Sequence, residues 1–76
     1  MKLVDVRDDL RQGREPLARI LAAVEGLDEI EDLVVVAPFE PRPLYALLEA
    51  RGLSHRTERT TDGAWRVTFA RPAPDR

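Results

Sequence analysis

The chain has no cysteine and no asparagine, and only one glutamine, one serine, one histidine and four aromatic residues among its 76. Without cysteine it has no disulfide, no thiolate nucleophile, no persulfide carriage, no iron–sulfur cluster and no cysteine-based zinc site. Serine–histidine catalysis would have to use Ser54 and His55, and adjacent strand residues point to opposite faces. A single histidine with carboxylates such as Asp5, Asp8 and Asp9 fits no familiar ligand spacing, so neither a metal nor a cofactor is expected. Paired-carboxylate acid–base chemistry needs a sheltered pocket, and no segment signals one. No apolar run is long enough to span a bilayer, and Met1-Lys2-Leu3-Val4-Asp5 lacks the apolar start of a signal peptide. These absences predict a cytoplasmic protein that is not an enzyme.

What is present is charge. Twelve basic and fourteen acidic side chains give a formal net charge of −2. Nucleic-acid binders carry a surplus of positive charge to displace counterions, so neither DNA nor RNA is an expected partner. Eleven of the twelve basic residues are arginine, a bias that suits either a heat-adapted host or a GC-rich genome. A chain this short buries only about 60% of the surface its unfolded form exposes, which leaves no room for a deep cofactor pocket.

Lys2 to Val6 alternates and reads as a strand, and Asp8 to Gly13 reads as a polar loop. Pro16 suits the first position of a helix, where its missing N–H is not needed. Leu17, Ile20, Leu21 and Val24 then form one apolar stripe over about three turns. Gly26-Leu27 resembles a left-handed cap with its hydrophobic contact, and residues 28–32 form an acidic connection. Leu33 to Ala37 is apolar at every position, as in a strand with neighbours on both sides. Pro38 to Pro43 is a stiff turn, and a second helix places Leu44, Leu47 and Leu48 inward before closing at Gly52-Leu53. Ser54 to Thr61 is a polar strand suited to a sheet edge. Asp62-Gly63 signals a type I′ hairpin, and Trp65, Val67 and Phe69 alternate into the core.

The expected fold is therefore α+β. It is a two-layer α/β sandwich, β-α-β-α-β-β, with two helices on one face of a mixed four-stranded sheet. Residues 1–71 form a single domain, and residues 72–76 are a disordered tail. Both helices follow parallel strands, so their N-termini emerge along one edge, where unpaired N–H groups favour anions. Arg14 and Arg42 precede the helices, with Glu15 and Glu40 countering part of their charge. One reading is a shallow anion site, the other capping plus solvated arginines. Phe39 sits in a proline-stiffened turn; it is either an interface anchor or a staple folded over Leu44. Tyr45 lies beside the apolar stripe, half exposed. His55 is a solvated residue of the polar strand, paired across the sheet.

Leu3-Val4-Asp5-Val6-Arg7, Arg14-Glu15-Pro16-Leu17, Pro41-Arg42-Pro43-Leu44 and Gly63-Ala64-Trp65-Arg66-Val67 resemble the TusA-like (SirA-like) small sulfur carriers. The chain is more similar still to a cysteine-lacking branch of that superfamily, short domains of unknown function. In the carriers an Asp-x-Arg strand end leads to a Cys-Pro-x-Pro element whose cysteine carries a persulfide. Pro16 matches the second proline, Glu15 the residue before it and Arg14 the first proline, while Gly13 stands where the cysteine would be. The resemblance implies the fold and a helix-start edge that meets a partner, but not the sulfur relay. The resulting expectation is a non-enzymatic binding module using Arg14, Glu15, Phe39, Arg42 and Tyr45. Its partner is a protein or a small anion rather than nucleic acid or membrane, and it is a monomer or a weak homodimer. An alternative is an accessory component of a sulfur-transfer or redox/metal-handling system.

Overall fold

Leu33–Ala37 is apolar throughout because it has a strand on each side and a helical layer on one face. The computed structural model of the protein describes residues 1–28 and 30–72. Strand β1 (Lys2–Asp5) is followed by helices α1 (Arg7–Arg11) and α2 (Leu17–Glu25), then strand β2 (Leu33–Ala37). Helix α3 (Arg42–Glu49) and strands β3 (Ser54–Arg59) and β4 (Trp65–Ala70) complete the chain. The sheet order is β1-β2-β4-β3, with β1 parallel to β2 and the other pairs antiparallel. The α+β sandwich expected from the sequence is thus present, and the polar β3 lies at an edge.

Register sorts the side chains into two faces. Val4, Val35 and Val67 share one cross-strand row, and Leu33 and Phe69 share another. Both rows pack against Ile20 and Val24 of α2, Leu48 of α3 and the flanking Leu27 and Leu53 in one core. Phe69, Ile20, Leu33, Leu48, Val35 and Val67 are fully buried there. The alternate positions, among them Leu3, Arg66, Thr68 and Arg56, occupy the other face. Among the described residues no polar or charged side chain is buried, and no helix is long and apolar enough to cross a membrane.

Four local expectations are corrected. Of residues 8–13 only Gln12 and Gly13 are a turn: Arg7–Arg11 form a helical turn, giving three helices among the described residues instead of two. Val6 and Leu10 provide the i, i+4 apolar pair that seats it, and Leu10 packs against the core. Asp8 and Asp9 lie at its positive end and Arg11 at its negative end. Gly26 ends α2 at φ −89°, so its cap is not left-handed. Gly52, at φ +85°, does end α3 that way, with Leu53 N–H donating to the Leu48 carbonyl at 3.0 Å.

The Asp62-Gly63 turn is not type I′, because Asp62 keeps a negative φ and only Gly63 is positive. Gly63 N–H donates to the Thr60 carbonyl and Thr60 N–H to the Ala64 carbonyl. This is a three-residue loop closed by a left-handed glycine. Trp65 is half-buried and not a core residue. Its row neighbours are the small Ala37 and the charged Arg59, so no bulky apolar group closes over it. The Arg59 guanidinium covers the ring instead, 4.6 Å from its centroid. Most of the expected tail lies outside the described residues, as does Glu29 of the acidic connection.

Two stability contrasts follow from this packing. In urea denaturation Phe69→Ala should cost about 3–5 kcal/mol, whereas Trp65→Ala should cost roughly 1–2 kcal/mol. Equal losses, or the reverse order, would show that the burial of β4 is misassigned. Gly52→Ala should destabilise by about 1 kcal/mol, because alanine is strained at its positive φ. Gly26→Ala should be neutral or mildly stabilising: the new methyl crowds the flexible end of Lys2 and meets the carbonyls of Ala22 and Ala23 at ordinary contact distance.

Candidate functional site

Parallel pairing of β1 and β2 sends both following segments away from the same sheet edge, and the starts of α2 and α3 face each other there. Between them lies a cleft of about 310 Å³. Pro16, Leu17 and Ile20 of the α2 segment form one wall; Pro43, Leu44 and Leu47 of α3 form the other. Val6, Leu10 and Ala37 lie at the base, Pro41 is buried in the lining, and the exposed Phe39 flanks the mouth. Glu15 is the single charged residue of the lining. Phe39 keeps 51% of its surface exposed, so it is not a staple buried over Leu44.

Polar groups at this edge are largely satisfied by the chain itself. Glu15 Oε1 accepts the Leu17 N–H at 3.0 Å, which occupies the first donor of α2. Asp9, only 13% exposed, accepts from Arg14 Nη2 at 3.3 Å and from Arg19 Nη1 at 2.7 Å. It thereby ties α1 to the turn before α2 and to α2 itself. Across the cleft Arg42 Nε donates to Glu40 Oε1 at 2.9 Å. That bond, more than the hydroxyl of Tyr45 donating at 3.1 Å, lowers the Glu40 carboxyl below its ordinary range.

Of the five residues expected at the site, Glu15 and Phe39 line the cleft. Arg14 precedes Glu15, and Arg42 lies between the lining residues Pro41 and Pro43, so both belong to its rim. Tyr45 is on another flank of α3. Its hydroxyl lies 2.6 Å from Thr57 Oγ1, and its ring stacks on His55 at 3.8 Å, nearly parallel. Burial is the main cause of the raised Tyr45 pKa. His55 is exposed but is held by this stack and not simply solvated. Sequence reasoning missed Leu10 at the cleft base; its i, i+4 spacing from Val6 was the available signal.

A second device fixes the β1 end of the edge. Arg7 donates Nε and Nη2 to both oxygens of Asp5, the shortest contact being 2.7 Å, while Nη1 reaches Asp62 at 3.2 Å. The side-chain bond from Arg7 is the largest cause of the lowered Asp5 pKa. Thr60, followed by the Ala64 N–H, lowers that of Asp62. Carboxyls with depressed folded-state pKa values contribute stability above the ordinary carboxylate range, and that contribution is lost as pH falls through the lowered values. Thermal melts should therefore show stability declining below about pH 4. Arg7→Gln should lower the melting temperature at pH 7 and flatten that acid limb; an unchanged limb would refute the clamp's contribution.

Among the described residues no group of three histidine, aspartate or glutamate side chains is placed to hold a metal ion. Neither a curated protein nor a solved structure matches the chain. A family model does match, over residues 3–71, from the middle of β1 to just beyond β4, and so takes in both walls of the cleft and the Asp5–Arg7 clamp. The chain belongs to the family described as Uncharacterized conserved protein (DUF2249).

Proposed function

We propose that the protein is a non-enzymatic interaction module that seats an apolar group of a protein partner in the cleft between α2 and α3. The observation carrying this reading is the cleft itself: an open, almost wholly apolar recess with the half-exposed Phe39 at its mouth. An aromatic in a proline-stiffened turn gives up little entropy on binding. Such anchors dominate the energetics of protein interfaces.

The geometry gives less support to a small inorganic anion as the ligand. Glu15 already takes the Leu17 N–H, and the N–H groups of Arg42 and Leu44 are held by the carbonyls of Glu40 and Pro41. Pro16, Pro41 and Pro43 have no N–H to offer. The TusA-like resemblance supports the same edge as the partner-facing one, and an accessory role beside a sulfur carrier would be a special case of this reading. Sulfur carriage itself has no support. Gly13 stands at the thiol's place with φ +74°, a conformation strained for any side chain.

Titration of the amide NMR spectrum with benzyl alcohol, a neutral apolar probe, should shift Leu10, Glu15, Leu17, Phe39 and Leu44. Inorganic phosphate at the same millimolar concentration should leave these amides in place. Phe39→Ser should abolish the benzyl alcohol shifts while changing stability by less than about 1 kcal/mol, as expected for an exposed position. Phosphate shifts at the helix starts without any response to the apolar probe would reverse the reading.

A further inference from the structure

We infer that the partner segment is an acidic amphipathic one, placing one or two large apolar side chains in the cleft and carboxylates on Arg14 and Arg42. The inference rests on the docking reading above and adds the chemistry of the partner. Its first support is the recess. At about 310 Å³ it stands at the small end of ligand pockets, which run from about 300 to 1,000 Å³. That is room for anchor side chains, not for a large cofactor. Glu15 is the one polar side chain facing it and is engaged at Leu17, so what enters the floor must be apolar.

The second support is the polarity of the rim. Asp9 is 13% exposed beneath Arg14, which is 61% exposed, and Glu40 is 26% exposed beside Arg42, at 79%. Asp9 and Glu40 are drawn in and paired while the guanidiniums face outward; Glu15 is exposed and is held at the Leu17 N–H. Arg42 uses only Nε, and its two terminal nitrogens have no acceptor among the described residues. Arg14 uses a single Nη2 contact at 3.3 Å. A planar guanidinium with unused N–H groups takes a carboxylate in paired hydrogen bonds. Asp8 lies on α1 facing Arg11; of the other acidic groups at this edge, Glu15 and Glu40 are both hydrogen-bonded within the chain.

The third support is placement. One arginine lies in the turn before α2 and the other opens α3, so the two are carried by the segments that form opposite walls of the recess. A ligand with a single head group would engage one of them. A peptide segment with carboxylates on both sides of its apolar anchors would engage both.

The test uses three short synthetic peptides, each with capped ends, titrated against the isotopically labelled full chain. One has leucine and phenylalanine anchors at i and i+4 flanked by glutamates, the second replaces the glutamates by lysines, and the third replaces the anchors by alanines. The first should shift the cleft amides and bind at least about fivefold tighter than the second, weakening as salt rises from about 50 to 300 mM. Arg14→Gln and Arg42→Gln should each weaken it severalfold, with folding confirmed from the same spectra, and Arg42→Lys should restore part of the loss. If the lysine peptide binds as tightly, the charge inference fails and the docking reading stands. Should the alanine peptide bind as tightly as the first, or no peptide shift the cleft amides, both fail. Octanoate serves as a fourth arm: if it shifts these amides while no peptide does, the ligand is a small amphiphile, which overturns the peptide inference.

Discussion

The parallel pairing of β1 with β2 is the constraint from which the rest of the molecule follows. Two adjacent parallel strands oblige the chain to return over one face of the sheet between them. The return carries α1 and α2, and the next segment leaves β2 from the same end. The cleft is therefore produced by topology. Whatever side chains filled α2 and α3, their starts would face each other where β1 and β2 end, and sequence decides only what lines the gap. In this chain prolines and leucines line it, with charge pushed to the rim.

Rigidity at that gap is distributed between covalent and ionic parts. Pro16, Pro41 and Pro43 fix φ on both walls. Asp9 joins three successive segments through two arginines, and Arg7 joins the end of β1 to the β3–β4 turn through Asp5 and Asp62. Each such pair at a surface is weak alone. Their value is positional: they hold the short α1 against the sheet, and so set Leu10 at the base of the recess. The Tyr45 network anchors α3 to β3 in the same way, through Thr57 and the stacked His55.

The strand and long-helix pattern was legible in the sequence because hydrophobic periodicity reports burial directly. Leu33–Ala37 announced a central strand, and the stripe from Leu17 to Val24 announced a helix against it. What escaped was local and short. A single helical turn such as Arg7–Arg11 has only one apolar pair to betray it, and its aspartates and arginine read equally well as loop. Gly26 and Gly52 look identical in sequence, each before a leucine, yet only one is left-handed; the choice depends on how the next segment leaves the helix. Trp65 follows the alternation perfectly, but the row it belongs to ends in Arg59, and alternation says nothing about the neighbours across the sheet. At the cleft, Phe39 and the helix starts were found from turn chemistry and strand order. That Arg14 and Arg42 would be occupied by Asp9 and Glu40 depends on side-chain placement, which spacing along the chain does not encode.

One contact made by Arg19 reaches beyond the cleft. Along β1, Lys2 and Val6 turn their N–H groups toward β2, so the alternation of a parallel ladder turns those of Leu3 and Asp5 outward. The outward carbonyl of Asp5 is taken by Arg19 Nη2 at 2.6 Å. A neighbouring molecule seeking to extend the sheet from this side finds its docking row interrupted after one residue. The same arginine that ties α2 to Asp9 thus caps the outward backbone row of β1 at its Asp5 end.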